Sequence, residues 1–269
     1  LLLIGDFRSQ HWPLILFLSL AGLVIVYLYK RFGGKASKGM GLVFDVGHAR
    51  EEKIPLVLVP LIMLTTWMSH LFGGSVGREG VAVQIGATLS HRFARHIKIP
   101  DASRIFLMTG MAAGFAGLFQ TPLAATFFAL EVLTVGELQL VALYPALIAS
   151  IVASFTSHAL GLEKFAVPLK ETLSWTPETL IKVALLGLAF GLAGKLFAVS
   201  LSWLKKTVAK LLPNPYIRIA VIGAGLSLVL LTLQLTKVGS YSGLGTNLID
   251  VAFHQGSAQS YDWILKLLF

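Results

Sequence analysis

The sequence contains no cysteine, which excludes a disulfide framework, Cys-ligated zinc and iron–sulfur clusters. It is also poor in charge. Asp, Glu, Lys and Arg make up 13% of its 269 residues, about half the usual share of a globular protein. With 55% hydrophobic residues, a disordered chain is excluded as well. There is no low-complexity tract and no short tandem repeat. What charge exists is mostly positive, with 22 Lys and Arg against 13 Asp and Glu, a formal net charge of +9. At a mean hydropathy of +0.78, that excess reads as the orientation signal of a membrane protein, not as a nucleic-acid footprint.

The start, Leu1-Leu2-Leu3-Ile4, lacks the basic residues and cleavage site of a signal peptide. Both ends fall within apolar runs, the second being Ile264 to Phe269. This predicts an internal piece of a longer polytopic protein, truncated at both ends.

A spanning helix needs roughly 20 apolar residues. Runs of suitable character are Pro13 to Tyr29, Ile54 to Phe72, Leu138 to Ala159, Pro177 to Leu204 and Pro215 to Leu235. Val81 to Phe93, Ile105 to Phe119 and Pro122 to Leu133 are shorter, and a final run starts near Trp263. Asp101 and Thr121 are expected as helix N-caps, the latter with Pro122 at the first helical position. Short apolar segments joined by Gly-rich breaks predict broken helices, which are tolerated at membrane depth only where they are buried in protein or line a cavity. Transporters aim the N-termini of such half-helices at anions. The clusters Lys30, Arg31, Lys35, Lys38 and Lys205, Lys206, Lys210 read as cytoplasmic. The charge-balanced segment from Gly161 to Thr176 reads as external, while Gly47 to Lys53 gives no direction.

Chemistry concentrates in Gly73-Gly74-Ser75-Val76-Gly77-Arg78-Glu79-Gly80-Val81-Ala82-Val83-Gln84. Glycines flank Arg78-Glu79, so backbone can approach a ligand closely. A helix that starts near Gly80 presents free N–H groups and the positive end of its dipole, which together make an anion site. Glu79 at its mouth is itself an anion. When charged it can occupy the site; when protonated it can swing away or donate a hydrogen bond. One side chain can thus couple an anion to a proton. The competing reading is a structural Arg78–Glu79 pair at the membrane interface. A charged side chain at bilayer centre costs at least about 2.5 kcal/mol, which favours function.

Gly77-Arg78-Glu79-Gly80 resembles the signature of the CLC family of chloride channels and proton-coupled anion transporters, in which the Glu is the gating glutamate. Gly110 to Ala124 is similar to the family's Gly/Ala-rich helix followed by a Pro-Leu-Ala helix start. Tyr241 to Ile249 resembles its late Gly-rich segment. The resemblance implies an all-α polytopic membrane protein, a CLC-like bundle of tilted, broken and re-entrant helices. It further implies one partial pore domain over 1–269: a first inverted repeat over about residues 1–160 and the start of a second over 177–269. A homodimer with one pore per subunit, no cofactor and no metal are implied too. The other half of the family's pore, with a further helix N-terminus and a central Tyr, is not matched here, and Tyr241 is not that Tyr.

The departures are informative. Chloride-type members carry a Ser in a Gly-Ser-Gly-Ile-Pro turn, and the matching turn here is Gly39-Met40-Gly41-Leu42-Val43, with Met40 lying 39 residues before Glu79. The usual Pro after Gly-Arg-Glu-Gly is Val81. Both changes resemble the fluoride/proton antiporter branch. A Ser hydroxyl donates to an anion, whereas a thioether cannot. Fluoride is small and strongly hydrated, so a protonated Glu79 is a fitting donor for it. The alternative for Met40 is a gap-filling apolar side chain. A second, internal proton glutamate is absent, since the matching pair reads Glu131-Val132. Glu131 is then expected to serve a helix end.

The expectation is therefore proton-coupled fluoride export across a bacterial inner membrane. Glu79 gates and carries the proton. Gly39, Met40, Gly41, Gly77, Arg78, Gly80, Val81 and Ala82 line the path, and backbone N–H groups from Gly80 to Ala82 bind the anion. Fluoride, chloride as the alternative, protons and lipid are the expected partners. A chloride channel or chloride/proton exchanger is the first rival. An intramembrane enzyme pairing Glu79 with His70 or His91 is a remote one. The seven His residues show no metal-ligand spacing, and Arg92, Arg95, Lys98 and Arg104 read as an interfacial cluster. Gly110-x-x-x-Gly114 and Gly187-x-x-x-Gly191 fit close helix packing. Ser75 and Gln84 lie within reach of the site without a strong case for either.

Overall fold

The computed structural model describes residues 2–134, 136–162 and 174–235, together with 241, 243, 245, 248, 249, 252, 253, 259 and 261–268. The described residues form helices and no strand. In chain order these are α1 (Leu2–Gln10), α2 (Leu18–Leu28), α3 (Met40–Gly47), α4 (Leu58–Leu71), α5 (Glu79–Ala94), α6 (Ala102–Phe119), α7 (Pro122–Glu131), α8 (Leu143–Ala159), α9 (Pro177–Leu211), α10 (Pro215–Leu235) and α11 (Asp262–Leu268). The expected external segment falls mostly outside the described residues, as does part of the Gly-rich stretch after Tyr241.

Two kinds of helix are present. The stretches Trp12–Gly47, Ala102–Phe119, Leu140–Ala159, Pro177–Leu211 and Pro215–Leu235 are long and apolar enough to cross a bilayer. By contrast α3, α4, α5 and α7 rise only about 12, 21, 24 and 15 Å at 1.5 Å per residue, short of the ~30 Å hydrocarbon layer. The broken-helix expectation therefore holds. The first stretch is itself interrupted. A π turn over Tyr29–Gly33 and a 3-10 turn over Gly34–Lys38 separate α2 from α3. Both breaks need glycine, because Gly34 and Gly39 sit at φ +49 and +55.

Capping explains some boundaries and corrects others. Thr176 accepts a hydrogen bond from the Thr179 N–H at 3.2 Å, and Pro177 opens α9. Asn214 Oδ1 accepts from the Tyr216 N–H at 2.9 Å at the start of α10. Asp101 and Thr121 occupy N-cap positions but make no capping bond. Asp101 has φ +55, outside the extended geometry that aims a capping side chain at the second and third amides.

The core is built on α3 to α8. Leu42, Val43, Leu58, Ile62, Val83, Leu107, Met108, Met111 and Leu130 form one buried cluster. Its tightest seam is α5 against α6. A β-carbon on Gly86 would lie 2.1 Å from the Gly110 carbonyl oxygen, one on Gly110 2.2 Å from that of Gly86, and one on Gly114 2.2 Å from that of Ala82. Main chain faces main chain here, so the small-residue spacing at Gly110 and Gly114 does the work expected of it. The same spacing at Gly187 and Gly191 does not. Nothing lies within 4 Å of either position, because no described helix stands opposite that face of α9.

α10 returns to the start of the chain. Ser227 Oγ donates to the Ile15 carbonyl at 2.8 Å and Ser19 Oγ to that of Ala220 at 2.9 Å. Gly223 packs on Ser19. Lys30 lies over the Tyr216 ring at 4.4 Å, and Lys205 and Arg218 line one cleft beside α2. The two basic clusters read from sequence thus share one face of the molecule. The Gly47 to Lys53 linker is tied to the first of them, through Lys35 to Glu51 at 2.5 Å and Lys38 to Glu51 at 3.3 Å.

Gly110→Ala is expected to force α5 and α6 apart and to destabilise the protein by about 1–3 kcal/mol, the usual range for overpacking. Gly187→Ala should be neutral or slightly stabilising. Thermal unfolding of the two purified variants checks this; equal midpoints would contradict the seam.

Candidate functional site

Helix α5 begins at Glu79, with Arg78 at the N-cap. In any α-helix the N-cap and the first three residues have no carbonyl of their own to donate to. Here those are Arg78, Glu79, Gly80 and Val81. Ala82 is different: its N–H donates to the Arg78 carbonyl at 3.1 Å. The expected donor set of Gly80 to Ala82 therefore moves one residue toward the N-terminus. The reason is that the helix starts at Glu79, not at Gly80.

Glu79 is exposed at this helix start. Its carboxylate folds back over the preceding backbone, so that a β-carbon on Gly77 would lie 2.7 Å from Oε2. The glycine leaves room for that return. Arg78 is half-buried and forms no ion pair with Glu79. It lines a separate cleft of about 400 Å³ with Thr66, Trp67, Val81 and Ile85. The structural Arg78–Glu79 pair is not formed.

A second helix start lies close by. Gly39 is the N-cap of α3, and Met40 is its first residue. Met40 is half-buried against the core cluster, as is Val81. Gly41 and Gly80 are exposed. The link between the two starts is Gln84, one turn into α5 and 93% buried. Its Nε2 donates to the Gly80 carbonyl at 2.9 Å. Its Oε1 has no partner and lies 3.5 Å from where a β-carbon on Gly39 would stand. A single amide thus spans from the first turn of α5 to the turn before α3. The only sign of this in the sequence is the i,i+4 spacing of Gly80 and Gln84, which does not reveal Gly39 on the other side.

Among the described residues, none of the remaining candidates forms a hydrogen bond or ion pair with Glu79. His91 lies twelve residues along α5 from Glu79, about 18 Å. It is buried, with Nε2 3.2 Å from the Glu52 carbonyl and Nδ1 3.3 Å from Ser103 Oγ. A carbonyl only accepts, so Nε2–H donates there, and the two contacts make His91 a structural pin. His70 is buried at the end of α4, where Arg8 Nη1 donates to its carbonyl at 3.4 Å. Neither is a water-accessible partner for Glu79. Ser75 is exposed in the loop before α5. Glu131 is exposed at the C-terminal end of α7 and makes no ion pair among the described residues. It does not serve a helix end, because the negative pole there disfavours a carboxylate.

The α3 start is braced by charge. Lys35 and Lys38 both reach Glu51, at 2.5 and 3.3 Å, and Lys38 also reaches Asp45. These contacts span the break that carries Gly39. Hydrogen bonds from Lys35, then Lys38, hold the Glu51 carboxyl below its ordinary value of 4.5.

Membrane-crossing helices, short helices whose starts are brought together, and an acidic residue at one of them define a polytopic membrane protein of tilted and broken helices. The comparisons are specific. The family described as voltage gated chloride channel matches residues 21–269, and the chain belongs to that family, the CLC proteins. A "Chloride/fluoride channel protein" of Pseudomonas syringae pv. tomato is 33% identical over 268 residues, covering 98% of this chain and 59% of the relative. A solved CLC-type fluoride/proton antiporter superposes with a TM-score of 0.91 at 46% identity, over 99% of this chain and 67% of that one. A slow cyanobacterial Cl-/H+ antiporter superposes at 0.72 with 20% identity, a likeness of fold alone. The chain thus spans about three-fifths of the curated relative's length. The family comprises ion channels and antiporters, not enzymes.

A depressed carboxyl pKa stabilises the fold above the unfolded value, and that contribution is lost as pH falls through the folded value. The difference in unfolding temperature between the parent and Glu51→Gln should therefore be constant at pH 6–8 and shrink on acidification below about 4.5. A difference that grows on acidification would show that the brace is not ionic.

Proposed function

We propose that the protein of which this chain forms part exports fluoride in exchange for protons across a bacterial inner membrane. The observation that carries the reading is the meeting of two helix starts through Gln84, one opened by Glu79 and the other by Met40. Free N–H groups at both starts attract an anion. At the α3 start the side chain is a thioether, which offers no hydrogen bond to chloride. At the α5 start the carboxyl group offers one only when protonated. An anion that requires a strong donor, such as fluoride, is then held best in the state that also carries the proton. The 46%-identical structure bears the description fluoride/proton antiporter, in keeping with this.

In this reading Glu79 gates and carries the proton, and Gly39, Met40, Gly41, Gly77, Arg78, Gly80, Val81 and Ala82 border the anion path. Donors come from the helix starts, with Ala82 contributing shape only. The basic face formed by Lys30, Lys35, Lys38 and Lys205 is cytoplasmic. Residues 1–160 form a first inverted repeat and 177–269 begin the second. The assembly is a homodimer with one pore per subunit.

A second reading, chloride as the principal ion, is favoured by the mixed description of the Pseudomonas relative. Efflux from liposomes holding the full-length parent separates the two. Fluoride efflux should exceed chloride efflux at equal gradients and be accompanied by proton entry. Glu79→Gln should abolish proton movement, and Met40→Ser should raise chloride flux relative to fluoride by about tenfold, the equivalent of one gained hydrogen bond. Chloride flux equal to fluoride in the parent, unchanged by Met40→Ser, would assign the protein to the chloride reading.

A further inference from the structure

A cleft of about 670 Å³ opens on the basic face, and none of Gly39, Met40, Glu79 and Gly80 lines it. Its cations come from three separate parts of the chain. Lys35 stands on the turn before α3, Arg50 and Lys53 on the linker to α4, and Arg92 and Arg95 at the end of α5. Two carboxylates, Glu51 and Glu52, share the lining. Glu51 is already neutralised by Lys35 and Lys38. Arg50, Lys53, Arg92 and Arg95 are exposed and form no ion pair among the described residues. The cleft is therefore strongly cationic, and its arginines have the planar donor geometry that suits phosphate oxygens.

The rim is apolar. Pro55 and Leu56 line the cleft, and Leu56 is 42% exposed. Ile97 and Ile99, just past Arg95 in the sequence, are also exposed. The cleft lies where the apolar helix α4 begins and α5 ends, on the side that the lysine clusters mark as facing the cytoplasm. Cations in a pocket with acyl-sized apolar side chains at its edge, at the level where headgroups lie, match an amphiphile with a negative head. A free inorganic anion would have no use for the apolar rim. We infer that this cleft binds the phosphate headgroup of an anionic phospholipid, with its acyl chains leaving past Pro55 and Leu56. Bound there, the lipid would tie the linker before α4 to the end of α5 and so hold α3 against the seam.

The test uses the full-length protein, delipidated in detergent, with titration calorimetry as readout. The probes are dihexanoyl phosphatidylglycerol, dihexanoyl phosphatidylcholine and inorganic phosphate. Phosphatidylglycerol should bind, and the other two should bind at least about tenfold more weakly, since each cation near a headgroup contributes on the order of a tenfold gain or less. The double variant Arg92→Gln, Arg95→Gln should weaken phosphatidylglycerol binding about thirtyfold. Lys53→Gln, on the linker, guards against a folding defect at the end of α5 and should weaken it severalfold. Lys205→Gln with Lys206→Gln, outside the cleft, should leave it unchanged. Equal affinity for the two lipids, inorganic phosphate matching phosphatidylglycerol, or undiminished binding in both cleft variants would each overturn the assignment.

Discussion

The contact on which the other placements depend is main chain against main chain, where α5 crosses α6 at Gly86, Gly110 and Gly114. With no side chain between them, the two helices have almost no freedom to slide or separate. Their seam fixes the axis of α5, and the axis fixes where Glu79 and the free N–H groups of the first turn lie. Helix α3 then packs on both, with Leu42 and Val43 in the same cluster as Val83, Leu107 and Met108. The meeting of the two helix starts is a consequence of that packing. Small residues act twice in this protein: as a seam that permits approach, and as breaks that let a helix begin where a continuous span would not.

The second constraint is electrostatic and lies on the basic face. The turn that carries Gly39 would be free to move if only its glycines held it. Lys35 and Lys38 tie it to Glu51 on the linker, and Lys38 also ties it to Asp45 in α3. These are exposed pairs and weak singly. Their value is geometric, because they join the segment before α3 to the segment after it. The same face gathers the uncompensated arginines and lysine of the lipid cleft.

Legibility from sequence was uneven for physical reasons. Hydropathy and helix-start chemistry are local, so the apolar runs behind α2 and α4 to α10 and the break near Gly34 could be read, though not α1 or α3 as helices, and the opening of α5 at Gly77 to Gly80 could be read to within a residue or two. The small discrepancy mattered at Ala82, whose N–H closes the first turn instead of remaining free. Local chemistry misled at Asp101 and Thr121, which hold N-cap positions without capping, because backbone dihedrals are settled by the packing of the elements they join. It misled also at Gly187 and Gly191, where the spacing for close approach is present but no described helix approaches.

By itself the sequence determined the class: an apolar, charge-poor chain of spans and half-spans, with one acidic residue at a glycine-flanked helix start. Those features follow from composition and from contacts within four residues. Tertiary structure alone decided that Met40 and Glu79, 39 residues apart, open neighbouring helices, and that Gln84 is the amide between them. It also decided that Ser227 and Ile15 meet, and that cations from three segments share a cleft. Such pairings are set by which helix faces can approach closely, a property of shape and packing that no single stretch of sequence contains.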